Sequence, residues 1–191
     1  MWGSDIEDQI LKFFQLHYSK MKKVRIIKIY FYLPNVDETI LCCDGASRGN
    51  PGQAGYGFIV RFHTGEFVYA ESGGLGILSN YIVEFIASIS ALEWALNNHK
   101  FKVILQTDSK ACVVALKNNK IPLFLVARWQ RVVSGLQSII YRHVYREVNF
   151  SVDHFAKKGV YLPKGQIQTY NVRPTSLTHM EFPDQPYCRF E

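Results

Sequence analysis

The amino-acid sequence predicts a mixed α/β layer fold built around one core. Three β-rich runs come first, separated by turn signals, which indicates a sheet that begins with antiparallel strands. Segments with a helical period then alternate with strand-like runs, as in folds that pack helices against a sheet. The length of 191 residues suits one domain with appendages. We expect a basic N-terminal extension at 1–36, the domain itself at 37–160 and a proline-containing C-terminal tail at 161–191.

The N-terminal extension is the most basic part of a chain whose formal net charge is +6. Between Lys12 and Lys28 there are six Lys or Arg residues and no acid. Such a run favours a polyanionic partner, and a solvated face that only aids solubility is the alternative. We expect a partial helix from Asp5 to Tyr18 and a turn at Pro34–Asn35 that closes the extension.

The first three strands are predicted from short apolar, β-branched runs. Thr39–Cys43 ends at Asp44 and is followed by a glycine-crowded loop at 45–52. Gly55–Phe62 and Glu66–Ser72 are separated by three turn-forming residues, the length of a hairpin connection. These three strands are therefore expected to be antiparallel.

The second half of the domain alternates helices and strands. Apolar side chains recur every three or four residues from Val83 to Ala95, which predicts an amphipathic helix that begins near Ser79. Ser109 is well placed to cap a helix after the strand Lys102–Thr107. The remaining predicted elements are a helix from Pro122 to about Ser138, a strand at Ile139–Val148, a short helix at Ser151–Lys158 and a loosely packed tail at 161–191.

Composition argues against several classes of protein. Four cysteines, two of them adjacent at Cys42–Cys43, do not form a disulfide framework, and no histidine stands at zinc-ligand spacing with a cysteine. No apolar run is long enough to span a membrane. Asp5, Glu7 and Asp8 fit neither a secretory signal nor a transit peptide. We expect an intracellular protein, nuclear or cytoplasmic.

Four acids stand at element boundaries and are candidates for a shared site. Asp44 and Asp108 each end a predicted strand, and ligands of open α/β sheets gather at the carboxyl ends of strands. Glu84 lies in the first turn of the long helix and Asp153 in the last helix. Each acid alone has a structural explanation as a turn former or a helix cap. Together, without Arg partners, they predict a divalent-metal site, because clustered carboxylates repel and Mg²⁺ prefers oxygen ligands.

The joint pattern resembles type 1 ribonuclease H over about residues 37–160. The last motif, His143–Asn149, is similar to the ribonuclease H domain that closes plant non-LTR retrotransposon polyproteins, and to its freestanding host-encoded relatives. The other matching motifs are Asp44–Gly52, Asn80 four residues before Glu84, Thr107–Ser109, and Asn149 four residues before Asp153.

The resemblance implies a ribonuclease H-like fold, a five-stranded mixed sheet with helices on both faces. It implies that the four acids bind two Mg²⁺ ions, which Mn²⁺ can replace, and that Asp44 bridges them. The family hydrolyses the RNA strand of RNA–DNA hybrids and leaves 3′-hydroxyl and 5′-phosphate ends. We accordingly expect a monomer with no membrane partner and no small-molecule cofactor. The substrate contacts expected are Gly49, Asn50, Asn80, Ser109 and Asn149.

Three features depart from the type 1 pattern, the first being Tyr81, which follows Asn80 where the bacterial type carries a second asparagine. His143 precedes Asn149 by the interval of an auxiliary catalytic histidine, but it falls in a predicted strand, so a structural histidine is the alternative. The lysine- and tryptophan-rich handle after the second helix is missing. Trp129 has the spacing of a core residue. The weak substitutes available for the handle are Lys117, Lys120, Arg128 and Arg131.

Two other functions remain open at this level. A non-catalytic, retroelement-derived nucleic-acid-binding module would keep the sheet and the basic surface, and Val83 stands where an alanine is usual before the helix glutamate. A different nuclease of the same superfamily, integrase-like or exonuclease-like, fits the acids but not the Gly-Asn-Pro-Gly loop. The intact set of four acids favours the active ribonuclease H.

Overall fold

The structure, a computed structural model, describes residues 9–10, 12–14 and 25–191. Residues 9–10 and 12–13 are helical. The rest of the helix predicted from Asp5 to Tyr18, and most of the basic segment from Lys12 to Lys28, lie outside the described residues.

The elements of residues 25–191 follow the predicted order with three additional strands, one before the predicted domain and two after it. The strands are β1 (Ile26–Ile29), β2 (Thr39–Gly49), β3 (Gly52–Arg61), β4 (Phe67–Leu78), β5 (Lys102–Thr107), β6 (Ser138–His143), β7 (Ile167–Tyr170) and β8 (Tyr187–Phe190). The helices are α1 (Asn80–Asn97), α2 (Lys110–Lys117), α3 (Val126–Gly135) and α4 (Phe150–Val160). Within the described part of the chain, no helix is both long and apolar enough to cross a bilayer.

The main sheet has six strands in the order β6-β5-β2-β3-β4-β7. The pairs β2–β3 and β3–β4 are antiparallel, as predicted. β5 runs parallel to β2, and β6 runs parallel to β5. β7 adds a sixth, antiparallel strand beside β4, so the sheet is one strand wider than predicted.

Alternating side chains of β2 enter two cores on opposite faces of the sheet. Leu41 and Cys43 face the larger core, which α1, α2 and α3 cover, and Trp129 is buried there as predicted. Ile40 and Cys42 face the smaller core, beneath α4. All four cysteines are free, and three of them are buried, namely Cys42, Cys43 and Cys112.

The expectation of a loosely packed tail is wrong. β8 pairs with β1, and Leu177 and Met180 are buried in the smaller core. The tail therefore contributes two buried side chains to the core on the α4 face of the sheet. The three-segment division of the chain stays a prediction.

A buried carboxylate ties the tail to the start of α4. Glu181 is 1% exposed, and its two oxygens accept hydrogen bonds from the backbone N–H and the hydroxyl of Ser151, at 2.8 and 2.5 Å. Arg61, 3% exposed, lies 3.7 Å from the same carboxylate. The tail therefore satisfies one of the free N–H groups of the helix that carries Asp153.

Glycines in β3 let α4 lie directly on the sheet. A Cβ on Gly57 would be 2.4 Å from the backbone nitrogen of Ala156, and one on Gly55 would be 2.0 Å from the carbonyl carbon of Gly159. Any side chain at these positions would push the helix away. The approach of main chain to main chain thus fixes the position of Asp153 relative to β2 and β3.

Candidate active site

Three of the four predicted acids come together at one edge of the sheet. β2 and β5 are parallel neighbours in which Cys42 pairs with Gln106, so Asp44 and Asp108 occupy equivalent places two residues further along. Glu84 reaches them from α1, one turn further into the helix than predicted. Asp44, Glu84 and Asp108 form an acid triad. One carboxylate oxygen from each of the three residues lies within 4.8 Å of the others.

Local packing sets the position of Glu84. A Cβ on Gly45 would lie 2.9 Å from the backbone nitrogen of Glu84, so only glycine lets β2 approach the helix this closely. The hydroxyl of Thr107 donates a hydrogen bond of 3.3 Å to the Glu84 carboxylate. Val83 is fully buried, so its departure from the usual alanine is accommodated in the core.

The electrostatics of the triad disfavour three ionised carboxylates. Burial, followed by repulsion from Asp108 and Asp153, raises the pKa of Asp44 well above its ordinary value. Burial, followed by repulsion from Asp44 and Asp108, does the same to the pKa of Glu84. Burial also raises the pKa of Asp108, and the positive charge of Arg146 opposes that shift. Three oxygen donors held this closely make a site able to hold a divalent cation.

The acid triad lies in an open cleft. Asp153 lines this cleft but stands outside the triad. It lies in the first turn of α4, and its two oxygens contact Arg146 at 2.8 Å and Lys157 at 2.5 Å. Burial works to raise the pKa of Asp153, but hydrogen bonds and positive charge from Lys157 and Arg146 lower it overall. The expectation of acids without an Arg partner is therefore wrong for this residue.

His143 ends β6, which is shorter than the predicted strand at 139–148. Its Nε2 atom lies 3.2 Å from the backbone carbonyl oxygen of Asp108, and the side chain is exposed. The imidazole thus lies beside the acid triad. Its auxiliary role in catalysis stays a prediction.

Gly49 and Asn50 are exposed beside Asn80, which lines the cleft. Gly49 adopts a φ of +99°, which favours glycine, and Asn50 follows it at the turn between β2 and β3. The side-chain oxygen of Asn50 accepts a hydrogen bond of 3.1 Å from the backbone N–H of Asn80. This bond ties the loop to the start of α1. The substrate contacts of Gly49, Asn50 and Asn80 stay predictions.

Two other predicted contacts have structural partners. The Ser109 hydroxyl accepts a hydrogen bond of 3.3 Å from the backbone N–H of Cys112, so it caps α2, and its substrate contact stays a prediction. Asn149 is 2% exposed and donates a hydrogen bond of 3.1 Å to the Cys43 carbonyl. The Asn149 amide thus joins the start of α4 to β2, and the substrate contact predicted for Asn149 stays a prediction.

The sequence analysis missed several residues of the cleft, which has a volume of about 520 Å³. Arg48 and Tyr161 form part of its wall, with the guanidinium carbon 4.2 Å from the centre of the tyrosine ring. Lys157 was predictable from its i,i+4 spacing with Asp153. Among the proposed substitutes for the basic handle, Arg128 is paired with Glu93 at 2.6 Å and is no longer a free cation.

Residues 42–159, more than half of the chain, match the family described as reverse transcriptase-like. The chain belongs to this family. It is 32% identical over 146 residues to the ribonuclease H of Afipia carboxidovorans. The aligned residues make up 66% of this chain and 95% of that protein. The chain is thus also related to proteins that carry the name ribonuclease H.

A second relative is only partly covered. The bifunctional protein Rv2228c of Mycobacterium tuberculosis is 29% identical over 155 residues, which is 78% of this chain and 42% of that protein. The chain therefore spans less than half the length of this relative. The solved N-terminal RNase H domain of rv2228c, a fusion with maltose binding protein, superposes with a TM-score of 0.60 at 27% identity and covers 64% of this chain and 93% of that chain. The predicted ribonuclease H-like fold is confirmed.

Proposed function

We propose that this protein is a divalent-metal-dependent endoribonuclease that hydrolyses the RNA strand of RNA–DNA hybrids, leaving 3′-hydroxyl and 5′-phosphate ends. One observation carries the proposal, namely the carboxylate oxygens of Asp44, Glu84 and Asp108 that lie within 4.8 Å of one another in an open cleft. The membership of the family supports the hydrolase class.

The residues of the cleft fit divalent ions. Burial raises the pKa of Asp44 and of Glu84, so the positive charge of Arg146 does not neutralise the cluster. Hard oxygen donors of this kind suit Mg²⁺, and Mn²⁺ accepts them as well. Asp44, Glu84 and Asp108 would hold one ion. Asp44 and Asp153 would hold a second, with Asp153 exchanging a contact to Arg146 or Lys157 for the ion.

Bound divalent ions supply activation of a water molecule and stabilisation of the leaving oxygen in an in-line displacement at phosphorus. The chain's own residues orient the substrate around that reaction. Arg146 and Lys157 keep positive charge beside Asp153, where a phosphodiester would approach. His143 holds an imidazole against the backbone of Asp108 and can donate a proton to the departing 3′-oxygen.

The rim of the cleft supports a hybrid as the substrate. The loop at Gly49 and Asn50 presents backbone and amide groups next to Asn80, within reach of a shallow groove. Such donors and acceptors can read a 2′-hydroxyl, the group by which proteins distinguish RNA from DNA. The motif His143–Asn149 supports descent from the plant retrotransposon type. Because one chain supplies all four acids, the proposal includes action as a monomer.

The test is cleavage of an end-labelled RNA strand within an RNA–DNA hybrid by the purified full chain. We expect cleavage with Mg²⁺ or Mn²⁺ and none with EDTA, and no cleavage of duplex DNA. Asp44→Asn should abolish cleavage with the circular dichroism spectrum unchanged. Asp37→Asn is the matched control, because Asp37 is exposed and pairs with Lys102 at the other end of the sheet. A wild-type chain that is inactive with both metals, or an active Asp44→Asn variant, would refute the proposal.

A non-catalytic binding module is the second candidate, and one observation favours it. Asp153 is held by two cations, Arg146 and Lys157, which compete with a metal ion for its oxygens. This candidate predicts that the wild-type chain binds the hybrid but releases no product with either metal. The same cleavage assay, read alongside binding, distinguishes the two functions.

A further inference from the structure

Three cations line the cleft beside the acids, and they differ in their partners. Arg146 and Lys157 both pair with Asp153. Arg48 forms no ion pair with any residue that the structure describes, and its side chain contacts the ring and the hydroxyl of Tyr161, which is neutral. A guanidinium with no carboxylate partner keeps its full charge and its forked donors for an incoming anion.

The packing of α4 sets the backbone position of Tyr161. A Cβ on Gly159 would lie 2.7 Å from the carbonyl oxygen of Gly73, so the end of the helix is held directly against the sheet. Tyr161 follows immediately as the C-cap of α4 and is 68% exposed. The guanidinium of Arg48 lies 4.2 Å from the centre of its ring, a distance at which a cation is attracted to the face of an aromatic ring. The ring therefore orders a long side chain before any ligand arrives, which lowers the entropy cost of binding.

The distance from the acid triad suits a separate contact on the same nucleic-acid strand. β2 pairs with β3 in unbroken register from Ile40 to Gly49, so Arg48 projects from the same face as Asp44, four residues further along. At roughly 3.3 Å per residue the two lie about 13 Å apart. One strand of a duplex carries a phosphate about every 3.4 Å along its axis, so this separation spans a few nucleotides.

We propose that Arg48 and Tyr161 form a backbone-binding site at the rim of the cleft, which holds a phosphate of the cleaved strand a few nucleotides from the acid triad. The identity of the ligand rests on the proposed function. Tyr161 lies beyond the residues that match the family, 42–159, so the family match does not assign this pair. Arg48 supplies the charge that binds the phosphate, and Tyr161 positions Arg48.

The experiment measures the affinity of the full chain for a fluorescently labelled RNA–DNA hybrid in EDTA, over a series of salt concentrations. Arg48→Ala should weaken binding about 3–10-fold and lower the slope of log K against log salt by about 1. Tyr161→Ala should weaken binding about 2–3-fold, and Tyr161→Phe, which keeps the ring, should bind close to wild type. Lys102→Ala is the control, because it removes one exposed positive charge at the start of β5, whereas Asp108 of the acid triad follows the end of β5. Equal thermal melting curves exclude misfolding.

The outcomes separate this inference from the proposed function. Arg48→Ala with the affinity and the salt slope of Lys102→Ala overturns the inference, even if the wild-type chain cleaves hybrids. Weaker binding and a smaller slope in Arg48→Ala support it, even if the wild-type chain proves inactive with metal. A wild-type chain that does not bind the hybrid overturns both. Tyr161→Phe as weak as Tyr161→Ala would overturn the role of the ring.

Discussion

Replacing Asp44 with asparagine should stabilise the metal-free protein at neutral pH while removing its function. The Asp44 side chain is 6% exposed, and its carboxylate shares a 4.8 Å cluster with Glu84 and Asp108. Asparagine has nearly the same shape and no charge. The substitution therefore removes repulsion without leaving a cavity. In the wild-type protein, the Asp44 carboxylate is thus expected to lower the stability of the metal-free folded state.

The size of the effect follows from the separation of the charges. Two ionised carboxylates whose oxygens lie within 4.8 Å of each other repel by about 3 kcal/mol or more at an effective dielectric constant of about 20. The raised pKa values of Asp44 and Glu84 let the cluster take up a proton, which relieves part of that repulsion. We expect a net gain of about 1–2 kcal/mol in the free energy of unfolding, or about 3–6 °C in Tm for a chain of this size.

The gain should depend on pH in a defined direction. The pKa of Asp44 in the folded protein lies above its ordinary value of 3.8, so the folded state keeps a proton that the unfolded state has released. Stability from this protonation is fully present below about pH 3.8 and is lost as the pH rises through the raised pKa. The Asp44→Asn variant has no proton to lose at this position. The free energy of unfolding that it gains over wild type should therefore be small in acid and largest above the raised pKa of Asp44.

The assay is urea denaturation of wild type and Asp44→Asn in EDTA from acid to alkaline pH, repeated with Mg²⁺. Mg²⁺ should stabilise wild type by binding its folded state and should have little effect on the variant. Asp37→Asn, at an exposed surface pair, is the control. The reasoning fails if Asp44→Asn is less stable than wild type at alkaline pH in EDTA, or if its advantage does not change with pH.

Two further substitutions test other contacts of the site. Arg146→Ala removes a hydrogen bond and a positive charge from Asp153, so the lowered pKa of the Asp153 carboxyl should rise towards its ordinary value. Carboxyl NMR titration without metal measures this pKa. An unchanged titration would contradict the pairing of Arg146 with Asp153. Glu181→Ala leaves Arg61 buried without its partner and Ser151 without its acceptor, so the free energy of unfolding should fall by about 3–5 kcal/mol in urea denaturation. A loss below about 1 kcal/mol, typical of a surface pair, would show that the tail does not hold α4 in solution.

The parts of the fold that local pattern encodes were predictable. β2, β3 and β4 lie next to one another in the chain, and short turns join them, so their antiparallel order follows from sequence spacing. The meeting of Asp44 and Asp108 follows from the rule that parallel strands end at the same edge. The predicted loop at 45–52 is wrong, because β2 continues as a strand to Gly49, but the pairing of β2 with β5 ends at Cys42 and Gln106, so Asp44 and Asp108 still lie side by side.

The parts that depend on distant partners were not predictable. β7 and β8 are four-residue strands with no strong period, and they form because β4 and β1 offer free edges. Arg146 is seven residues before Asp153, a spacing that brings the two together only because a short 3₁₀ turn at Arg146–Val148 intervenes. Asn149 looked like a polar loop residue, and only packing reveals that it is buried.

Glu84 and Asp153 lie on helices that pack on opposite faces of the sheet. The helix that carries Asp153, α4, contacts the main chain of β3 directly at Gly55 and Gly57. Main-chain contact sets the separation of α4 from β3 at these two positions, so a change of size at an aliphatic residue beneath α4 should alter the width of the cleft less than a side chain at either glycine. Substitution of either glycine would instead widen the mouth at once, whatever compensating changes accumulated around it.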